Sequence, residues 1–292
     1  MSAREPAGAR PLRSPALSHL GPAAVLAAAS LIRDGRVWDL AVDLDPAVLP
    51  PADPRLAWPV RRVDLMTPAA YRETFASGDS GFHLDAVSGS IHQGTHIDGL
   101  AHIVHDGRIF GGTTEGSART EAGWTVHGAE TIPPIVGRAV LIDLVAARQG
   151  RHLEGSHEIV PDELAEALGG QRVELREGDV VLVHTGKMAE LRSDRERFLE
   201  RQPGIGVRAA QWLAERGMAA YGSDTAGTEP QPVTDWSRTV HVELLAERGI
   251  HLLEWLDLEA LAGSGRGEFF FVGAPLKIRG ATGSWLRPLA IT

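Results

Sequence analysis

The stretch DVVLVHTGKMAELRSDRERFLERQPGIGVRAAQWLAERGMAAYGSD, residues 179–224, decides the fold. It opens on DVVLVHT (179–185), a short apolar run rich in valine that stops at Gly186. Such a run, bounded by turn residues, reads as a buried strand. Two helical segments follow, MAELRSDRERFLE (188–200) and VRAAQWLAERG (207–217), and Gly217 marks the end of the second. MAAYGSD (218–224) then returns to strand character. Strands separated by helices imply an α/β chain with mixed sheet pairing.

The same alternation continues outward. AVLIDLV (139–145), HLLEWL (251–256) and FFFVGAPLKI (269–278) read as strands, and PDELAEAL (161–168) and HVELLAERG (241–249) as helices. Towards the N-terminus, VWDLAVDL (37–44) alternates as a strand should. A proline-rich loop follows from Pro46 to Pro59, then a short helix near TPAAYRETFA. Good helix formers cover 22–34, with Gly35 after them, while residues 1–21, rich in Pro, Ala and Arg, read as a flexible arm. There is no internal repeat and no long linker, so residues 22–292 are expected to form one domain.

Composition narrows the function classes. The chain has 292 residues, 43% hydrophobic, with a net charge of −9. That is enough to bury a core, and it offers no basic footprint for nucleic acid. With 0 cysteines, disulfides, thiolate zinc sites, cysteine nucleophiles and iron–sulfur clusters are excluded. No apolar run is long enough to span a membrane. Arg4, Arg10 and Arg13 before PAAVLAAASLI imitate a secretory signal, but His19 and Pro22 interrupt it, so a cytoplasmic location is expected.

Chemistry concentrates in HQGTHIDGLAH, residues 92–102. Three of the chain's 12 histidines fall there beside Asp98, and His105 follows. Helical spacing would put His92 and His96 on one face but turn Asp98 and His102 away, and Gly94, Thr95 and Gly99 are poor helix formers. In an extended chain, positions 92, 96, 98 and 102 share parity and tend to one face. His96 and Asp98 are then about 6.6 Å apart, within reach of one ion, while His92 lies about 13 Å from His96 unless Gly94 bends the chain. Gly99 allows a turn that carries His102 back over the site. Imidazole nitrogen with carboxylate oxygen suits zinc, manganese or iron. Two residues elsewhere share this character. His241 stands in the first turn of a helix. Glu254 is a carboxylate among Leu252, Leu253, Trp255 and Leu256, costly to bury unless paired or bound to a cation; an edge strand or an arginine partner would also explain it.

H-x-G-T-H-x-D with a histidine four residues on resembles the motif of the cyclase-like metal-dependent hydrolases. That family includes bacterial kynurenine formamidase, isatin hydrolase and a larger cyclase branch. Leu100 stands where the family motif has proline. The likeness extends to RVWDLAVDL, VLVHTG (181–186), AAYGSDTAG, HVELLAERGIHLLEWLDLEAL and PLKIRGATGSWLRPLAI, and so covers about 36–292, closest to the larger branch. The resemblance implies a swivelling β/β/α domain with a twisted mixed sheet and flanking helices. It implies that His92, His96 and Asp98 bind a first metal and His241 a second. Asp98 and Glu254 would bridge them, and His102 would act as acid/base. Zinc or manganese, one or two ions per chain, a small-molecule substrate and a homodimer or larger homo-oligomer go with it.

The expected activity is metal-dependent hydrolysis of an amide, formamide, imide or lactone. The alternative is a polyketide-type cyclase using the same site for enolate chemistry, and a third reading is a structural ion without catalysis. Phe82 and His83, in the loop GDSGFH, are candidates for a substrate mouth. Trp38 is a weaker one, since it, Trp58 and Trp255 equally suit a core. Thr95 and Asp224 are candidates for supporting the site, Asp224 by orienting a histidine. His105 is expected at the surface. GIGVRA (204–209) is not read as a dinucleotide loop, because it follows Pro203 rather than a strand.

Overall fold

The apolar runs assemble into one nine-stranded mixed sheet. The computed structural model describes residues 14–49, 59–75 and 78–292. The strands of the central sheet are β1 (Val37–Asp39), β2 (His96–Asp98), β3 (Ile135–Asp143), β4 (Val180–His184), β5 (Ala220–Ser223), β6 (His251–Glu254), β7 (Glu268–Gly273), β8 (Gly283–Trp285) and β9 (Leu289–Ile291). Their spatial order is β1-β9-β7-β3-β4-β5-β6-β2-β8. β3, β4, β5 and β6 run parallel, and every other pairing is antiparallel.

α1 (Pro22–Ala29) precedes β1, and the four parallel strands are apolar along their middles because both faces are covered. Val140, Ile142, Val181, Val183, Tyr221 and Leu252 face one way. They pack under α2 (Pro161–Gln171), α3 (Val207–Ala214) and α4 (Val242–Glu247, a helix of π type). Ala139, Leu141, Val180, Leu182, Ala220 and Leu253 face the other way, against Leu17, Leu20, Phe269, Phe271 and Leu261 of α5 (Glu259–Gly263). A bridge from Ala41 to Leu256 ties the chain after β1 to the end of β6, so the sheet curls. The α/β expectation of a twisted mixed sheet with flanking helices holds.

Local departures have local causes. The expected helix over 188–200 is two, Met188–Ser193 and Arg195–Glu200, broken at Asp194, whose carboxylate accepts the Arg197 N–H and caps the second. The 139–145 strand starts earlier and stops at Asp143, which caps the turn Leu144–Ala147 in the same way. The 269–278 strand ends at Gly273, and the 37–44 strand is reduced to Val37–Asp39 and the single bridge at Ala41. The 22–34 helix ends at Ala29. Within the arm expected over 1–21, Ser14 and Leu17 are packed into the fold. Ser14 Oγ donates to Gly249 O at 2.5 Å, and Leu17 is buried. Residues 1–13 and Trp58 lie outside the described residues, as does most of the expected proline-rich loop. Among the described residues no helix is long and apolar enough to cross a membrane.

Polar residues gather where the parallel strands end. Ligand sites in such sheets form outside the carboxyl ends of the strands. Strand alternation there sends Glu254 to the α2–α3–α4 face and His184 to the opposite one.

Candidate metal centre

β2 is the centrepiece. It lies between β6 and β8, with His96 opposite Glu254 and Asp98 opposite Gly283. Ile97 is fully buried with Leu253 on the α5 side of the sheet, so His96 and Asp98 project together to the other face. Gly94 takes φ +76, a left-handed turn that a side chain would strain, and it bends the chain before the strand as its position suggested. Gly99 serves differently. A Cβ there would stand 2.9 Å from Thr282 O, so the residue permits close approach of two backbones. The chain then turns, His102 N–H donating to Gly99 O at 2.9 Å. This lays the His102 ring on that of His92, centroids 4.0 Å apart.

Three histidines use one ring nitrogen outward and aim the other inward. His96 Nδ1 donates to Gly94 O at 2.8 Å. His241 Nδ1 lies 2.7 Å from the Glu229 carboxylate, and His92 Nε2 lies 2.8 Å from Thr282 Oγ1. The inner nitrogens converge on two carboxylates. His92 Nδ1 is 2.8 Å and His96 Nε2 3.4 Å from Asp98 Oδ1. His96 Nε2 is also 3.5 Å from Glu254 Oε2. His241 Nε2 is 3.5 Å from Asp98 Oδ2 and 3.4 Å from Glu254 Oε1. An outer partner that fixes tautomer and ring angle is the usual support of a ligating histidine. His96 Nε2 and Asp98 Oδ2 are buried without any hydrogen bond. Orphaned polar atoms at such a point fit a cation. The donor atoms form two sets, His92–His96–Asp98 and Asp98–His102–His241, that share Asp98. Residues and group therefore fit.

The charges are consistent with that. Burial would raise the Asp98 carboxyl, but His102, His241, His92 and His96 outweigh it and hold it well below its ordinary range. Burial pushes Glu254 up to about 7, with His241 opposing and Asp98 adding to it. Burial lowers His241 and His96 too, yet Glu229 lifts the first, and Asp98 and Glu254 lift the second, above the usual value. Protons on these imidazoles stand in for cationic charge. His102 goes the other way, pushed down to about 3 by burial and by the neighbouring histidines, with Asp98 opposing.

The remaining candidates divide. Thr95 is buried beside the motif, its Oγ1 donating to Trp255 O at 2.7 Å and accepting from Val42 N at 2.8 Å, so it pins β2 to the end of β6. Trp38 is not brought to the cluster. It sits on β1, at the other end of the strand order, with Nε1 3.2 Å from Thr292 Oγ1. Phe82 is exposed and packs on Tyr71, centroids 4.4 Å apart, and His83 beside it is exposed. Asp224 does not orient a histidine of this cluster. It lies on the opposite face, where it accepts from Thr185 N, Thr185 Oγ1 and Gly186 N. His105 lies in a turn 3.7 Å from exposed Asp106, and Trp255 is core, taking φ +59 as the chain turns after Glu254. Glu229, Thr228 and His251 had no sequence signal, since each acts from a distant segment. Thr228 Oγ1 donates to Glu254 Oε1 at 2.9 Å, and His251 Nδ1 lies 2.7 Å from Asp98 O.

Known proteins share this fold. No curated protein matches the sequence. A crystal structure described as a novel cyclase superposes with a TM-score of 0.84 at 28% identity, covering 95% of this chain and 93% of that one. Isatin hydrolase A from Labrenzia aggregata, bound to benzyl benzoate, gives 0.64 at 25% identity over 87% of this chain and 93% of its own. A structure described as a potential metal-dependent hydrolase with cyclase activity gives 0.57 at 21% identity, covering 87% and 98%, and supports the fold alone. The family profile described as "Putative cyclase" matches residues 37–230, a span that holds β1 to β5 and the whole His92–His102 segment, and the chain belongs to that Cyclase family.

Proposed function

We propose that the protein is a metal-dependent hydrolase that opens an amide, formamide, imide or lactone bond of a small molecule. The observation that carries the reading is the inward convergence of His92, His96 and His241 on Asp98 and Glu254, with each outer ring nitrogen already engaged. His92, His96 and Asp98 would hold one ion, and His241, with Asp98 and Glu254 shared, a second. Zinc or manganese suits such nitrogen and oxygen donors. When bound, the ion supplies Lewis acidity and lowers the pKa of water towards ~7.

The chain's own residues supply positioning and proton transfer. Gly94 O, Thr282 and Glu229 fix the three ligand rings, and Thr228 fixes Glu254. His102 is half-buried, neutral and stacked on His92, so a ring nitrogen is placed to take a proton from the attacking water and return it to the leaving group. The same ring lies within ligand reach of Asp98 and His241, and mutation separates the two roles.

The test is elemental analysis together with a panel of formanilides, cyclic imides and lactones. One or two equivalents of zinc or manganese, and acid release that stops with chelator and returns with metal, are expected. Less than about a tenth of an equivalent after reconstitution sinks the reading, because the donor set has no other role that leaves two buried atoms unpaired. Metal without acid release from any substrate would move the assignment to the cyclase chemistry named in the neighbouring structures.

A further inference from the structure

Across the sheet from that cluster lies another histidine among carboxylates. His184 ends β4, and Asp143, its register partner, ends β3. Asp224 is the first residue past β5, and Glu259 opens α5. His184 projects from the Leu182 face, whereas Glu254 projects from the Leu252 face, so the two groups are separated by the sheet itself.

We propose that His184, Asp224 and Glu259 form a separate divalent-cation site, with Asp143 fixing His184 from behind. His184 Nδ1 lies 2.9 Å from Asp143 Oδ1, which commits that nitrogen and aims Nε2 at the other two carboxylates. Nε2 is 3.3 Å from Glu259 Oε1 and 4.0 Å from Asp224 Oδ2, and the three donor atoms lie within 4.8 Å of one another. The His184 side chain is 4% exposed, yet Nε2 has no hydrogen bond, and neither has the buried Glu259 Oε1 it faces. A carboxylate–histidine pair aimed at further oxygens is the arrangement that supports a ligating imidazole. Asp224 is prepared for the task. Thr185 and Gly186 hold its two oxygens with backbone and hydroxyl donors, which fixes their direction.

The charge balance points the same way. Three carboxylates surround one imidazole. Burial lowers His184, but Asp143, Glu259 and Asp224 outweigh it and lift the ring to about 10, so without a cation it keeps a proton. A divalent ion replaces that proton and neutralises one more charge. One nitrogen with carboxylate oxygens suits manganese or zinc. Glu259, the most exposed of the set, gives the ion its way in. The bound ion would tie the start of α5 to the ends of β4 and β5. The site stands independently of the hydrolase reading.

The experiment uses the full chain carrying Asp98→Asn and His241→Ala, which break both donor sets of the first centre, stripped with chelator. Titration with Mn²⁺, followed by electron paramagnetic resonance, and with Zn²⁺, followed by calorimetry, should show one equivalent bound. Adding Glu259→Gln should weaken that binding at least about tenfold, the loss typical when a ligating carboxylate is removed or reoriented. No binding of either ion, or affinity unchanged by Glu259→Gln, overturns the proposal. If the double variant does not fold, the single Glu259→Gln chain is compared with the natural one. It should hold about one equivalent less of whichever ion binds, and equal stoichiometry and affinity overturns the proposal. Zn²⁺ should also remove the second N–H proton resonance of the His184 ring, and its persistence at saturation counts against the site.

Discussion

The two clusters share one sheet edge, yet their charge ratios are opposite. On the α4 face, four imidazoles surround the inner carboxylates Asp98 and Glu254. On the α5 face, one imidazole meets three carboxylates. An imidazole-rich set leaves a bound dication with net positive charge, which is the condition for polarising a carbonyl and acidifying water. A carboxylate-rich set quenches that charge and suits an ion that only holds segments together. The outer partners differ accordingly. In the first cluster Gly94 O and Thr282 are neutral supports and only His241 is backed by a carboxylate, Glu229, while the single imidazole of the second, His184, is backed by a full negative charge.

The sharpest way to break this contrast is at Asp98, the residue both inner donor sets share. Asp98→Asn should release the first centre's metal and drop activity to background, while ion binding at His184 persists; metal counting on the purified variant checks both. If both sites empty together, the clusters are not independent. A smaller loss is expected at His102. His102→Ala should keep near-normal metal content while the rate falls by roughly 10²–10⁴. Metal loss as complete as in His96→Ala would make His102 a ligand.

Next comes Glu229, which accepts from the His241 backbone N–H and ring at 2.7 Å. Glu229→Gln should cost about 10–100-fold in metal affinity or rate. Glu229→Asp should recover less than Gln if direction matters more than charge, and the order of the two variants, read by metal competition, decides between them. The smallest effect concerns stability. His184 folds with its ring raised to about 10, above the ~6.5 of an unfolded histidine. Its contribution is therefore complete below pH ~6.5 and is lost as pH rises towards the folded value. In chelated protein, the Tm advantage over His184→Asn should shrink from pH 6 to pH 10, with Asp143, Asp224 and Glu259 the facing charges. A pH-independent difference would show that His184 is held neutral.

How much the sequence determined depends on the distance over which each feature is assembled. The strands at 180–184, 220–223 and 251–254 were legible because burial on both faces leaves continuous apolar runs. His92, His96, Asp98 and His102 were legible because one short segment carries them, with Gly94 and Gly99 marking where it must bend. Helix breaks were not, since Asp194 interrupts a run of helix formers through a side-chain cap that composition does not announce. Nor was the placement of Trp38 or Asp224, because alternation along a strand says that two residues differ in face but not which face meets which partner. Glu229, Thr228, Thr282 and His251 support the first cluster from segments up to 190 positions away, as with the Thr282–His92 contact. The His184 group joins the ends of two parallel strands, the residue after a third and the first turn of α5, and only strand order and register bring them together. Local chemistry is written in neighbouring residues. Groups that converge across a sheet are set by pairing, which the whole chain decides at once through burial of its apolar faces.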